Sequence, residues 1–220
     1  MSAINSALQA TSISISLLAA GGIATLSLFD VPILRAQPAS RSLPSVRWLF
    51  SRGSHIFPTA AIISAAGFSV LAYRSLPGSL ASRTVLQLLR DTRVRGYLAA
   101  AALNIAIAPW TSLVMIPNNF ELIKMNNELG GHRSIASSQA AEKEKGGIRQ
   151  RSARDSVDGK GEGIDEFKDV SDPQGQTLRN SSDAEGEQVK VMLTKFGTQN
   201  YVRAALTLAG GVVGLLTALG

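Results

Sequence analysis

The sequence predicts an all-α integral membrane protein: a four-helix bundle with a long disordered insert between helices three and four. Three observations carry this reading. Residues 2–29, 56–73, 96–120 and 204–220 contain no Asp, Glu, Lys or Arg. A bilayer core needs about 20 predominantly apolar residues per helix, with roughly 17–25 tolerated, and each run supplies a stretch of that order. The charges are segregated: residues 131–190 hold 10 Lys/Arg and 12 Asp/Glu out of totals of 22 and 16. That same segment is dense in Ser, Gly, Lys, Glu and Asp, and cannot bury enough apolar surface to offset chain entropy. The formal charge of +6 therefore combines a near-neutral insert with a basic bundle whose arginines sit at its edges. The expected organisation is 1–130 for helices one to three with two Arg-rich loops, 131–190 for the insert without chemistry of its own, and 191–220 for an interfacial turn and helix four.

Helix one is expected over about 8–29, in a run of Ala, Ile, Leu, Ser and Gly. A signal peptide is the rival, but no Lys or Arg precedes the apolar core, and the run is longer than a typical signal core. Val31-Pro32 is expected to stop this helix. A loop with Arg35, Arg41, Arg47 and Arg52 follows, made irregular by Pro38 and Pro44. Trp48, Leu49 and Phe50 beside Arg47 and Arg52 read as an interfacial anchor. Helix two covers about 56–73. The next loop, 74–95, has five Arg and one Asp, and its Val85, Leu86, Leu88 and Leu89 suit a short interfacial helix. Helix three, 96–117, is interrupted by Pro109 and contains Asn104 and Thr111, which neighbouring helices must satisfy.

Beyond the insert, Val189, Met192, Leu193 and Phe196 recur at helical spacing and form one face, expected to lie along the interface. Helix four follows through Asn200 and Arg203. Residues 204–220 span about 26 Å, slightly short of a ~30 Å core, and a snorkelling Arg203 allows an earlier start. Gly210 and Gly214 make a small-residue face, expected to pack another helix and to serve homo-oligomerisation. Lys and Arg divide almost evenly between the two sides, so the positive-inside rule selects no orientation.

The absence of Cys excludes disulfide scaffolds, thiolate metal sites, Cys nucleophiles and iron–sulfur ligation. Two histidines, His55 and His132, do not build a multi-His metal centre. No phosphate loop, dinucleotide fingerprint, HExxH or nucleophile elbow occurs. Arginines beside membrane spans read as headgroup contacts, so no nucleic-acid partner is expected.

Polar residues inside or beside the spans are the informative set, because they are costly there. His55 is either an interfacial side chain or a general base, since an imidazole exchanges protons near neutrality. Asn104 is interhelical glue or a hydrogen-bond donor to a ligand carbonyl. Arg203 snorkels or pairs with an anionic ligand group. Pro109-Trp110-Thr111 and Met115-Ile116-Pro117-Asn118-Asn119 form the densest cluster. Trp110 is a lipid-belt aromatic, and Asn118-Asn119 a helix stop, or these groups line a cavity for a flat aromatic ligand.

Trp110-Thr111, then Met115-x-Pro117-x-Asn119 and Leu122, resembles the signature of the DUF1772 membrane family, whose fungal members include anthrone oxygenases. Phe196-x-x-x-Asn200-x-x-Arg203-Ala204 resembles the motif before that family's last span, with Phe196 where Trp is usual and Gln199 where an apolar residue is usual. Phe29-x-Val31-Pro32 and Arg52-Gly53 are similar to elements of its first half. The resemblance covers all four spans and leaves only the insert outside.

The resemblance implies an oxygenase that converts an anthrone-type polyketide to an anthraquinone, with O₂ as co-substrate and without flavin, haem or metal. The anthrone methylene is acidic because its anion is an aromatic enolate able to reduce O₂ directly. Such a protein needs a base, donors for the enolate oxygen and a dry cavity. The catalytic set expected on this basis is His55, Asn104 and Arg203, with Trp110, Thr111, Asn119 and Asn200 on the substrate. The partner is a hydrophobic polycyclic aromatic small molecule, and the location a multi-pass position in an endomembrane such as the endoplasmic reticulum or a vesicle. The alternative from another class is a non-catalytic four-helix membrane scaffold or assembly factor.

Overall fold

The computed structural model describes residues 2–76, 91–143, 164 and 168–220. It is helical, with no strand among the described residues. Four helices are long and apolar enough to cross a membrane: α1, Ala3–Arg35; α2, Ala39–Arg74; α3, Thr92–Glu128; and α5, Asp183–Leu219. A short α4, Ile135–Lys143, lies between the last two. The interfacial helix expected around Val85, Leu86, Leu88 and Leu89 falls outside the described residues.

These helices are longer than the sequence pattern suggested. α2 has 36 residues and is therefore about 54 Å long, well beyond a ~30 Å hydrocarbon core. Val31-Pro32 does not stop α1, and the stretch expected to be an irregular Arg-rich loop is helical from Ala39. The reason lies in where the prolines fall. Leu26–Asp30 is a π-helical turn, and Pro32 opens the next α-helical turn, where no backbone donor is required. The carbonyl of Pro38 accepts from the Arg41 and Ser42 amides at 2.9 and 3.0 Å, and Pro44 falls early in the helix this contact starts. A second π turn, Thr111–Met115, is bracketed by Pro109 and Pro117.

The chain divides into two compact units. The first comprises Met1–Thr25, Ile56–Ser112 and Asn200–Gly220. Its helical pieces are built largely on the uncharged runs, with Arg74, Arg93, Arg95 and Arg203 at or near their ends. Their outer faces are apolar, with Leu18, Ile62, Leu98, Leu208 and Leu216 exposed, whereas Ser12, Ser16, Ser64, Asn104 and Thr207 are buried. Apolar outside and polar inside is the arrangement a lipid solvent selects. Phe68 stacks on Tyr97 at 6.3 Å between centroids, packed with Ala65, Leu71, Ala72, Ala100 and Ala101. Gln9 Nε2 donates to Tyr97 Oη at 2.7 Å.

Gly210 and Gly214 were expected to present a packing face to a second copy. Both are buried within this chain: a Cβ at Gly210 would strike the Asn104 amide, and one at Gly214 the Phe68 ring. The small-residue face therefore packs helices of this chain, the role expected of it between membrane helices.

The second unit comprises Leu26–His55 and Leu113–Gln199. The Val189, Leu193 and Phe196 stripe is buried here rather than laid along an interface. Phe50 meets Phe196 edge-on at 5.2 Å, Asn118 Nδ2 donates to the Met192 carbonyl at 3.1 Å, and Gln199 Nε2 donates to the Val114 carbonyl at 3.0 Å. Trp48 and Arg52, read from the sequence as an interfacial anchor, share a partner within the unit. Both donate to the Ser171 carbonyl, at 2.9 and 3.2 Å, with the Arg52 guanidinium over the Trp48 ring.

Residues 131–190 were expected to be disordered throughout. Their described parts are ordered by specific partners. The Arg133–Asp169 ion pair, at 3.3 Å, is 1% and 2% exposed on its two sides. Burial alone raises the Asp169 pKa, but hydrogen bonds from Ser134 and Ser171 and the Arg133 charge outweigh it and hold the carboxyl below its usual value. The Thr177 amide donates to the Ser40 carbonyl at 2.8 Å, and the Arg179 amide to that of Leu129 at 3.0 Å. Ser182 and Glu185 form a capping box, the Ser182 amide donating to Glu185 Oε2 at 2.7 Å and the Glu185 amide to Ser182 Oγ at 3.3 Å. α5 therefore starts at Asp183, well before the boundary at 190 that composition suggested.

A candidate anion site in the first unit

Among the buried polar residues of the first unit, Ser16, Asn104, Asn200, Arg203 and Thr207 form one connected set. Ser16, on α1, has its hydroxyl 2.8 Å from both Asn104 Oδ1 and the Thr207 carbonyl oxygen, and can donate to either. Asn104, on α3, is 0% exposed and uses its amide nitrogen on the Ala100 carbonyl of its own helix at 2.9 Å. Gly210 on α5 makes room for that amide. Thr207 Oγ1 donates to the Arg203 carbonyl at 2.9 Å. Interhelical hydrogen bonds of this kind tie membrane helices at a fixed level, typically for about 1 kcal/mol each.

Arg203 differs from its neighbours in being unsatisfied. It is 7% exposed, so the guanidinium does not snorkel to a lipid boundary. Nη1 donates to Asn200 Oδ1 at 3.0 Å, and the guanidinium carbon lies 5.7 Å from the Phe57 ring centroid. Nε is buried and makes no hydrogen bond. Asp91 is the only acidic residue of the first unit, its carboxylate caps α3, and no carboxylate pairs with Arg203 among the described residues. Phe57 is held in turn by Gly22 of α1, where a Cβ would lie 3.1 Å from the ring. The result is a fixed cation with an open donor, backed by an aromatic face.

Of the residues singled out from sequence, the structure joins Asn200 to Arg203 directly and links both to Asn104 through Thr207 and Ser16. Trp110 and Thr111, half-buried, lie in the first unit where α3 enters its π turn. His55 and Asn119, also half-buried, belong to the second unit. Asn119 Oδ1 is buried without a hydrogen bond, whereas its neighbour Asn118 ties α3 to α5. Sequence reasoning missed Ser16 and Phe57. Ser12 and Ser16, one helical turn apart in an apolar run and both buried, were a signal of an inward polar stripe; Phe57 carried none. Among the described residues, no three His, Asp or Glu side chains converge as metal ligands would.

Fold and site together define a polytopic membrane protein with a cationic centre buried in its helical bundle. The family model for anthrone oxygenase matches residues 47–158, just over half of the chain. The chain belongs to the anthrone oxygenase family. The match spans most of α2, all of α3 and α4; α1 and the Arg203 region of α5 lie outside it. Neither a curated protein nor a solved structure matches the chain.

Proposed function

We propose that this chain oxidises an anthrone-type tricyclic polyketide to the anthraquinone with O₂, without an organic cofactor or bound metal, and that Arg203 holds the enolate oxygen. The observation that most supports this is the unsatisfied guanidinium. An uncompensated charge inside a bundle costs several kcal/mol, and an anionic ligand is the partner that would offset it. An enolate oxyanion beside a fixed donor in a dry site is stabilised far more than in water. The flat ring of Phe57 suits a planar aromatic neighbour.

The chemistry balances without another reactant. A base removes one methylene proton and leaves the aromatic enolate. The enolate gives an electron to O₂, the radical pair joins through a new C–O bond, and protonation yields a hydroperoxide. Loss of the remaining C–H proton and cleavage of the O–O bond release water and leave the second quinone carbonyl. His55 is assigned the base role and Trp110, Thr111 and Asn119 the substrate contacts on their chemistry and on the motif resemblance; Asn104 and Asn200 act as positioning residues for Arg203. Anthrones partition into lipid, so an endomembrane bundle meets its substrate where the substrate collects.

The test uses membranes carrying the full chain, an anthrone and isotopically labelled O₂. Accelerated quinone formation is expected, with one labelled oxygen in the quinone and the other in water. No acceleration over empty membranes refutes the proposal and favours the scaffold reading. Activity that survives His55→Ala removes the base assignment alone.

A further inference from the structure

We infer that the first unit carries a site for one anionic phospholipid, in the groove between the start of α3 and the end of α5. Thr92, Arg95, Gly96 and Ala99 share one face of α3, and Val213 and Leu216 oppose them from α5, leaving an open groove of about 440 Å³. The two helices come close at Gly96, where a Cβ would overlap Thr217. The small side chain of Ala99 leaves the space beyond that contact open toward lipid. The walls suit an aliphatic chain and offer little to a soluble anion.

The end of the groove is cationic. Arg93 donates to the Gly220 carbonyl at 3.2 Å, so Arg93 and Arg95 both stand where the start of α3 meets the end of α5. The only acid there, Asp91, is engaged: its carboxylate accepts from the Arg93 and Val94 amides at 2.9 and 3.1 Å. Arg95 is exposed on the groove wall and pairs with no carboxylate among the described residues. An arginine at the end of a membrane span stands at headgroup depth, where a phosphodiester is the available anion. The site therefore reads a phosphate with Arg95 and the Thr92 hydroxyl and lays one acyl chain along Ala99, Val213 and Leu216. It is independent of the Arg203 site and of the reaction assigned to it.

The full chain is reconstituted in mixed vesicles of zwitterionic phosphatidylcholine and anionic phosphatidylglycerol, released into mild detergent, and its retained lipid identified by native mass spectrometry. Wild type is expected to keep a single phosphatidylglycerol with about fivefold preference, as one well-placed arginine provides. Arg95→Gln should bring the two lipids to parity, and Ala99→Trp, which fills the groove without changing charge, should remove the retained lipid, both with wild-type helicity by circular dichroism. Arg41→Gln, an exposed arginine of the second unit, should change nothing. Equal retention of the two lipids by wild type, unchanged retention in Ala99→Trp, or an equal loss in Arg41→Gln and Arg95→Gln overturns the assignment.

Discussion

Replacing Arg203 with Met should separate stability from activity, because the two depend on this side chain with opposite sign. Met keeps much of the length and removes the charge. The variant loses the hydrogen bond to Asn200, about 1.5–3 kcal/mol for a charged donor, and the contact with the Phe57 ring, about 0.5–2 kcal/mol. It also removes the desolvation penalty of a buried ion with no carboxylate partner, which is several kcal/mol. These terms nearly cancel or favour the variant. Thermal unfolding of the detergent-solubilised protein, followed by tryptophan fluorescence, should show an unchanged or raised midpoint. The initial rate of quinone formation should fall by about 10²–10³, the loss typical of one oxyanion donor. Arg203→Lys should recover part of the rate, since it restores the charge without the planar fork. A lowered midpoint with an unchanged rate would refute the reasoning and make Arg203 a structural residue.

Two further predictions concern the second unit. Asp169 has a folded pKa held below 3.8, so its stabilising contribution is complete above that pH and is lost as the pH falls through the lowered folded value. Acid titration of Trp48 fluorescence in a Trp110→Phe background should report that loss, and Asp169→Asn should destabilise the unit at neutral pH by about 3–5 kcal/mol by removing the buried carboxylate that faces Arg133. Ser182→Ala should break the capping box at a cost of about 1 kcal/mol, seen as faster hydrogen exchange at amides 183–186 and unchanged exchange in the apolar half of α5.

The four spans were legible because a bilayer imposes a length and a charge rule that any sequence must display. What lay beyond them was harder to read. Pro32, Pro38 and Pro44 look like breakers in a sequence, yet Pro32 and Pro38 stand at helix starts where no donor is needed, and the Ser40 carbonyl that Pro44 leaves without a helical donor accepts from the Thr177 amide instead. Composition judged 131–190 by its average, and an average does not register that Arg133 finds Asp169. The start of α5 was written plainly in Ser182-Asp183-Ala184-Glu185, a capping-box spacing that precedes the Val189 stripe, and was hidden by the surrounding charge. Gly210 and Gly214 were recognised as packing residues, but sequence carries no label for which helix does the packing.

The same limit applies to the site, and it shows what distinguishes structure from function inside a membrane bundle. Asn104 and Arg203 are equivalent as sequence signals: each is a costly polar residue in or beside an apolar run. Their surroundings separate them. Asn104 has its oxygen on Ser16 and its nitrogen on the Ala100 carbonyl, so its polar atoms are offset within the protein and its role is to fix three helices at one level. Arg203 has one bond, one ring contact and an unmet donor, with no counter-charge among the described residues. A satisfied polar group explains its own burial; an unsatisfied cation does not, and calls for a ligand of opposite charge. On the reaction proposed above, that anion is the enolate, which forms only as the reaction begins. A charge left unpaired at rest and paired during turnover is strongest for the intermediate, which is where stabilisation raises a rate.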